Sequence, residues 1–336
     1  MTDVYRVFGA EMSPYSVKVR SYFRYKGIPH QWILRNAESE ADYAKYARLP
    51  IVPLVVTPHD VGIQDSTPII DKMEMLFPQP SINPDDRVAS FISELMEEFG
   101  DEWGNKWMFH YRWTREVDQL SSAGRIARMR VPQASDDEHA AMIRQIRARM
   151  AERLWFVGSN DVTASQIEAG FKEMLALLEG HLERRPYLFG GRPAHGDFGL
   201  WGQFYELWTD PTAGALIEGT APHVLEWIHR MLWPRTEGPF ENWDTLEATL
   251  MPILTRQVGA LFMTWTAANE TALLQGQEEF SVKLGDKVGD NVWIQKPQKY
   301  HARSLAMLRA KYAAVPDRAA LDPILAAAGC LTGLRA

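Results

Sequence analysis

The stretch that decides the fold runs from Val4 to Lys26 and reads VYRVFGAEMSPYSVKVRSYFRYK. Its alternating start, Val4 to Phe8, predicts a strand, and the helical spacing of apolar residues from Val17 to Lys26 predicts a helix. Between them lies the turn Ser13-Pro14-Tyr15-Ser16, which places small hydroxyls at a helix start. The first N–H groups of a helix lack intrahelical partners, and that end carries partial positive charge. The turn is therefore a candidate site for an anion or a thiolate.

The residues after this turn continue an alternation of strands and helices. Strand patterns at Gln31–Leu34 and Leu54–Val56 flank a helix-permissive segment, Glu38–Tyr46. A further helix is predicted from Pro68 to Phe77, because Ser66 stands where an N-cap belongs and proline is favoured in a first turn. The predicted order, βαβα followed by ββα, is typical of an α/β thioredoxin-like domain.

Three short motifs in this region resemble the N-terminal domain of glutathione transferases. Ser13-Pro14-Tyr15-Ser16 occupies the place of a glutaredoxin Cys-Pro-Tyr-Cys turn, with serine at both cysteine positions. Val52-Pro53 is similar to the valine–cis-proline step that these folds place opposite the reactive turn. Gln64-Asp65-Ser66 is similar to the acidic residue and serine that such transferases carry before a helix.

The resemblance implies a glutathione-binding role for five residues. The backbone N–H and C=O of Val52 would pair with the cysteinyl part of glutathione like an added strand, and a cis bond at Pro53 would leave that edge free. Ser66 would bind the γ-glutamyl carboxylate. Asp65, or alternatively Gln64, would bind the γ-glutamyl ammonium.

The catalytic residue that the resemblance implies is Ser13. Its hydroxyl would donate a hydrogen bond to the glutathione sulfur and favour the thiolate, since a free thiol with a pKa of about 8.5 is mostly protonated at neutral pH. Ser13 as a plain helix cap is the structural alternative. Ser16 remains a possible co-donor and Tyr5 a rival donor, although Tyr5 is expected to serve in packing.

Two positions depart from the family pattern. Ile51 stands where a polar or basic residue often precedes the valine–proline step, so Lys45 or Arg48 is a candidate for the glycyl carboxylate contact. Ala194 stands three residues before Asp197, where the family has serine or threonine, so the usual capping box is incomplete. Asp197 is still expected to accept from backbone N–H groups in a structural role.

The chain is expected to have two domains and a long extension. Residues 1–80 form the thioredoxin-like domain, the proline-rich stretch around residues 81–87 is the linker, and residues 88–336 form an all-helical domain. An extension begins at about residue 235, with a possible hairpin of Phe280–Asp286 and Asn291–Ile294. It could cover the apolar cleft or bury a face of the helical domain, and its apolar stripes favour the second.

The second substrate is expected to be a small apolar or aromatic electrophile, held by apolar and aromatic side chains. The candidates for that wall are Met12, Tyr15, Trp107, Phe109 and Tyr111.

Composition excludes several other functions. The formal net charge of -7 and the pI of about 5.8 disfavour nucleic-acid binding. The lone cysteine, Cys330, forbids an internal disulfide, and the nine scattered histidines predict no metal site. With no long apolar run and no signal-peptide pattern at the N-terminus, we expect a cytoplasmic protein without a membrane partner.

The expected function is therefore a glutathione transferase, which the resemblance implies to be a homodimer with glutathione as its co-substrate. Serine at both cysteine positions argues against disulfide exchange, because a hydroxyl cannot form the mixed disulfide. Conjugation, ether cleavage, dehalogenation and isomerisation all stay open. The alternative is a non-catalytic binding or scaffold protein with the transferase fold.

Overall fold

The computed structural model describes residues 4–285 and 292–335. The N-terminal domain is an α/β unit, whose elements in chain order are β1 Tyr5–Gly9, α1 Pro14–Lys26, β2 His30–Leu34, α2 Glu40–Tyr46, β3 Leu54–Val56, β4 Gly62–Gln64 and α3 Ser66–Leu76. The sheet order is β2-β1-β3-β4. β1 pairs parallel with β2 and antiparallel with β3, and β3 pairs antiparallel with β4. The thioredoxin-like layout predicted from the sequence is confirmed.

Two helices begin earlier than the apolar spacing indicates. α1 starts at Pro14 because the Ser13 hydroxyl accepts a hydrogen bond from the Ser16 N–H at 3.3 Å and proline fits the first turn. α3 starts at Ser66, with Asp65 as its N-cap. In both cases the helix begins at the candidate glutathione-binding motif itself, which places the positive end of the helix there.

A helical region follows a linker without helix or strand. Its elements are α4 Arg87–Phe99, a π-helical turn Gly100–Gly104, α5 Asn105–Thr114, α6 Glu116–Arg130, α7 Asp136–Ala151, a 3₁₀ turn Leu154–Val157, α8 Ala164–Leu182, α9 His195–Thr209, α10 Pro211–Thr220 and α11 Pro222–Arg230. Asp197 accepts from the Ala194 and Leu188 N–H groups at 2.9 Å and from the Trp227 indole at 3.0 Å. This confirms its structural role at the start of α9.

The extension contains helices and one short hairpin: α12 Trp243–Ile253, a π-helical segment Leu254–Met263, α13 Thr264–Leu274, β5 Phe280–Val282, β6 Trp293–Gln295, α14 Lys299–Ala314, α15 Leu321–Ala327 and α16 Leu331–Arg335. The antiparallel β5–β6 pair confirms the predicted strands, while Asp286 and Asn291 lie outside the described residues. Leu250, Val258 and Trp265 are fully buried in the common core, so the extension does cover the helical domain. Among the described helices, none is both long and apolar enough to cross a bilayer.

The two domains meet along α1, which packs on α9 and contacts α4 through a buried ion pair. Lys18 on α1 is buried, and its ammonium contacts the carboxylates of Glu97 at 2.5 Å and Asp101 at 2.6 Å. Gly202 on α9 lies so close to the start of α1 that a Cβ there would be 2.6 Å from the Pro14 carbonyl oxygen. The helical domain therefore fixes the position of the Ser13 turn.

Candidate functional site

The Ser13 turn lies at the N-terminus of α1, where its side chains have different surroundings. Ser13 is half-buried, and its hydroxyl caps the helix. Ser16 is fully buried, and its hydroxyl has no hydrogen-bond partner among the described residues. Tyr5 packs edge-on against Phe23 and Phe77, as expected for a core residue. Of the three hydroxyls considered as thiolate donors, only that of Ser13 is both half-exposed and at the helix N-terminus.

Val52 offers a free backbone edge. The Val52–Pro53 peptide bond is cis, as predicted, and β3 begins only at Leu54. The N–H and C=O of Val52 form no hydrogen bond with other described residues. Such an edge can accept an extended peptide as an additional strand.

Gln64 holds the loop that precedes Val52. Its side-chain Oε1 accepts from the N–H groups of Arg48 at 2.7 Å and Leu49 at 3.0 Å. Its Nε2 donates to the carbonyl oxygens of Leu49 at 2.8 Å and Ile51 at 3.1 Å. The amide oxygen has both lone pairs in use, so it cannot also accept from a γ-glutamyl ammonium. Direct contact by Gln64 is the less favourable alternative, and its role is to position the loop.

Asp65 and Ser66 mark the start of α3. Asp65 has φ 79° and ψ 136°, a conformation that non-glycine residues rarely adopt and that often occurs at functional sites. Its carboxylate makes no cap bond but accepts from the Tyr300 hydroxyl at 2.9 Å. Ser66 is 1% exposed, and its hydroxyl lies 3.5 Å from Asp101 Oδ2. The strained position presents the Asp65 carboxylate toward the first residues of α14 rather than toward its own helix.

A cavity of about 760 Å³ joins these features. Its walls include Val52, Pro53, Gln64 and Asp65 from the N-terminal domain, together with Tyr15 from the turn. The opposite walls come from the helical domain and from the extension, and they include Glu102, Asn105, Phe156, Tyr300, His301 and Arg303. Neither Ser13 nor Ser66 lines the cavity. Tyr15 is the residue of the Ser13 turn that contributes to the cavity wall.

Two arginines border the cavity without an ion pair. Arg48 and Arg303 both line it, and neither guanidinium has a salt-bridge partner among the described residues. Lys45, the other candidate for the glycyl carboxylate, bonds Asp42 at 3.3 Å and is not part of the lining. Arg48 is therefore the better placed of the two, because a free guanidinium can bind a carboxylate in a bidentate manner.

A buried cluster of charged side chains, centred on Lys18, lies where the two domains meet. Burial alone would raise the pKa of Glu97, but the Lys18 ammonium outweighs it and lowers that pKa to about 2. Burial raises the pKa of Asp101 to about 8 in spite of the same ammonium. The Tyr15 hydroxyl donates to the Asp101 carbonyl at 3.0 Å, and burial raises the pKa of this phenol well above its usual value. Tyr15 is therefore a neutral hydrogen-bonding group in the cavity wall.

Two family models match the chain, one to each of these domains. The glutathione S-transferase N-terminal domain model matches residues 7–81, and the glutathione S-transferase C-terminal domain model matches residues 145–230. The two domains of the chain thus match the two domains of glutathione S-transferases. Residues 231–336, which hold the extension, lie outside both matches.

Several solved structures resemble this chain at low sequence identity. A glutathione S-transferase from Rhodospirillum rubrum F11 is 19% identical over 67% of this chain and 86% of that one, with a TM-score of 0.43. One from Methylobacterium radiotolerans JCM 2831, in complex with glutathione sulfonate, is 18% identical over 68% and 90%, with a TM-score of 0.41. The beta-etherase LigF from Sphingobium sp. strain SYK-6 is 16% identical over 69% and 95%, with a TM-score of 0.45. Comparison with curated protein sequences finds no match.

Three of the aromatic residues predicted for the electrophile wall do not line the cavity. Trp107 and Tyr111 are 0% and 2% exposed and pack against Phe171 in the core. Phe109 packs on Trp113, away from the cavity. The structure thus places these three α5 residues outside the cavity wall. Helical spacing could not show this, because it does not indicate which face of a helix the core takes.

Of the other two residues predicted for the electrophile wall, one lines the cavity and one does not. Met12 is half-buried beside the turn, and its carbonyl accepts from Arg112 Nη1 at 3.2 Å, but the residue does not line the described cavity. Tyr15 does line it. Of the proposed electrophile wall, Tyr15 is thus the member that the structure places beside the glutathione-site motifs.

Sequence reasoning missed the cavity residues from the extension and from the π-helical turn. Tyr300 and His301 lie at the start of α14, and Glu102 lies in the turn after α4. The extension covers the helical domain as the sequence predicts, but α14 also borders the cavity. The adjacent tyrosine and histidine in the first turn of this helix are the sequence feature that could have indicated a functional role. The sequence does not show which cleft they face. No metal-binding group of histidine, cysteine or carboxylate side chains occurs within residues 4–285 and 292–335.

Proposed function

We propose that this chain is a glutathione transferase that activates the glutathione thiol for attack on a hydrophobic or aromatic electrophile. The observation that carries the proposal is the shared cavity of Val52, with its unbonded backbone edge, and Asp65, with its outward carboxylate. Glutathione is a peptide with a γ-glutamyl ammonium, so it needs a strand-like partner and an anion in this arrangement. Few other small thiols need both.

Each motif has one task in the proposed mechanism. Val52 pairs with the cysteinyl backbone, and Asp65 binds the γ-glutamyl ammonium. The N-terminus of α3, which begins at Ser66, binds the γ-glutamyl carboxylate through its partial positive charge. Arg48 binds the glycyl carboxylate. Ser13 then donates to the sulfur, lowers its pKa and keeps the thiolate as nucleophile.

Calorimetric titration with glutathione, followed by turnover of a panel of electrophiles, tests this function. The wild type is expected to bind glutathione and to conjugate at least one class of electrophile. Asp65→Asn removes the ammonium partner and is expected to weaken binding by about 10-fold or more, since a hydrogen bond to a charged group contributes about 1.5–3 kcal/mol. Lys45→Gln, at a lysine outside the cavity, is the matched control. A folded wild type that does not bind glutathione would overturn the proposal.

One observation favours the alternative of a non-catalytic protein with this fold. The Tyr300 hydroxyl already bonds the Asp65 carboxylate, which the proposed mechanism reserves for glutathione. If that contact is permanent, the extension closes the site and the protein is a scaffold. Glutathione binding without turnover of any electrophile would support this alternative.

The quaternary state and the location are part of the same proposal. We extend it to a cytoplasmic homodimer, as the family resemblance implies. Sedimentation velocity at several protein concentrations tests the dimer, and a single species of 38.3 kDa would contradict it.

A further inference from the structure

His301 and Glu102 form a buried acid–base pair at the edge of the cavity. They are 5% and 3% exposed, and both line the cavity of about 760 Å³. His301 comes from α14 in the extension, and Glu102 comes from the π-helical turn after α4. Neither residue has a part in the glutathione contacts proposed above.

The pair has the geometry of an oriented proton donor. His301 Nδ1 is hydrogen-bonded to Glu102 Oε2. The ring stands edge-to-face against Trp265, with ring centroids 4.7 Å apart. Nε2 has no hydrogen-bond partner among the described residues. A histidine held at one nitrogen by a carboxyl group and free at the other is the arrangement that proton transfer requires.

The surrounding charges determine where the proton lies. Among the described residues, the titratable groups that interact with this pair or share the cavity wall with it include Tyr15 on α1, Lys18 on α1, Asp65 at the start of α3, Glu97 and Glu98 on α4, Lys106 on α5, and Tyr300 and Arg303 on α14. Burial, together with the Lys106 ammonium, lowers the pKa of His301 well below its usual value. Burial raises the pKa of Glu102 to about 8. Both directions favour the neutral pair, so we assign the shared proton to Glu102, whose O–H then donates to Nδ1 while Nε2 carries the N–H.

Lys106 can compensate the charge that proton transfer would create. Its ammonium is buried over the Trp265 ring, 3.7 Å from the centroid, and burial lowers its pKa to about 7. When Glu102 loses its proton, the new carboxylate lies close enough to interact with this ammonium. An anion formed there is therefore less costly than an isolated buried one.

We propose that His301 is a catalytic residue that protonates the oxygen released or exposed when glutathione attacks its electrophile, with Glu102 as its positioning residue. The substrate class that needs this help contains electrophiles whose carbon–oxygen bond breaks, namely epoxides and aryl ethers. A halide leaves as a stable anion and needs no proton. This inference rests on the proposed glutathione transferase function.

The step balances without an added oxidant or reductant. The thiolate forms a C–S bond, the C–O bond breaks, and the electron pair stays on oxygen. That oxygen takes the Nε2 proton while Nδ1 takes the proton of the Glu102 carboxyl group. The proton that the thiol lost on ionisation returns through solvent to Glu102. The net reaction converts thiol and epoxide into a hydroxy thioether.

The test compares two electrophiles with the full-length protein. His301→Gln is expected to lower kcat/KM for styrene oxide by about 100-fold or more, the range of general acid catalysis. The loss of kcat/KM for chlorodinitrobenzene should be far smaller, because chloride leaves without a proton. His223→Gln is the matched control, since its Nδ1 lies 2.6 Å from Glu179 in a similar pair away from the cavity.

A pH profile distinguishes proton transfer from a structural tether. The ratio of styrene oxide to chlorodinitrobenzene rates of the wild type should fall as pH rises through about 8, where Glu102 ionises. Glu102→Gln keeps the hydrogen bond and should lower the epoxide rate while abolishing this fall.

The remaining outcomes distinguish a failure of this inference from a failure of the proposed function. Equal losses for both electrophiles would make His301 a tether of α14 and overturn the inference, as would an unchanged epoxide rate. Turnover of chlorodinitrobenzene without turnover of epoxide or aryl ether by the wild type would also overturn it, while leaving the proposed function intact. Absence of any turnover would overturn both.

Discussion

Ser13 serves two roles with one hydroxyl group. Its oxygen accepts the Ser16 N–H and caps α1, while its hydrogen stays available to a ligand at the helix N-terminus. The cap contributes about 1 kcal/mol, so substitution at this position is expected to affect stability as well as chemistry. The two effects can be separated, because thiol ionisation is measured in the complex and stability without glutathione.

Ser13→Ala is expected to raise the pKa of the bound glutathione thiol by about one to two units, since a hydrogen bond to a charged group contributes about 1.5–3 kcal/mol. Ultraviolet titration of the thiolate in the complex measures this. Ser16→Ala is the matched control, because its buried hydroxyl has no partner among the described residues and should not reach the sulfur. A shift in the Ser16 variant with none in the Ser13 variant would assign the donor role to Ser16.

Tyr300→Phe removes the side-chain hydrogen bond that occupies the Asp65 carboxylate. Glutathione must displace this hydroxyl, so the variant is expected to bind glutathione more tightly, by up to about 10-fold for a bond of this kind. Calorimetry measures the change. Tyr312→Phe, at the far end of the same helix where the hydroxyl bonds Asp322, is the control. Weaker binding by the Tyr300→Phe variant would instead mean that Tyr300 contacts the ligand.

Helix α9 fixes the spatial position of the first turn of α1, because the two backbones approach closely at this point. Gly202 leaves no room for a side chain, because a Cβ would lie 2.6 Å from the Pro14 carbonyl oxygen. Pro14 follows Ser13 directly, so a displacement here moves the turn. The position of the candidate catalytic hydroxyl thus depends on packing between two elements far apart in sequence.

Gly202→Ala is expected to destabilise the protein by about 1–3 kcal/mol through overpacking and to lower turnover through the shifted turn. Urea unfolding and steady-state kinetics measure the two effects. Gly180→Ala on α8 is the control, since nothing lies within 4 Å of its Cβ position, and it should stabilise the helix by about 0.5–1 kcal/mol. Equal stabilities of the two variants would contradict the close packing.

At the scale of the whole molecule, the extension is held to the helical domain by buried polar contacts as well as by the core. His181 on α8 bonds the Leu188 carbonyl oxygen and the Thr249 hydroxyl of α12, each at 2.8 Å. Burial lowers the pKa of His181 to about 4, compared with about 6.5 in an unfolded chain. The neutral ring is therefore part of the folded state.

Stability is accordingly expected to fall as pH drops from about 6.5 toward about 4, because the unfolded chain binds a proton that folded His181 does not. The loss reaches about 3 kcal/mol for this group alone. Urea unfolding across this pH range should show a shallower decline for His181→Gln than for the wild type. Parallel curves for the two proteins would contradict this assignment.

The N-terminal domain could be predicted closely because its signals are local. Strand alternation, the Ser13 cap and the Val52-Pro53 step depend on neighbours in sequence, and the structure has β1, β3 and the cis bond where these signals predict them. The task of Gln64 was less predictable. Its choice between ligand and loop contacts depends on how closely residues 48–51 approach it in space.

By itself the sequence determined the thioredoxin-like domain, the helical domain and the motifs of the candidate glutathione site, since periodicity and capping act within a few residues. Only the tertiary structure decided what surrounds that site. It buried Trp107 and Tyr111 in the core and brought His301 beside Glu102 across 199 residues of chain. Apolar spacing states that a face must be buried, whereas the partner that buries it is chosen by packing among all the elements together.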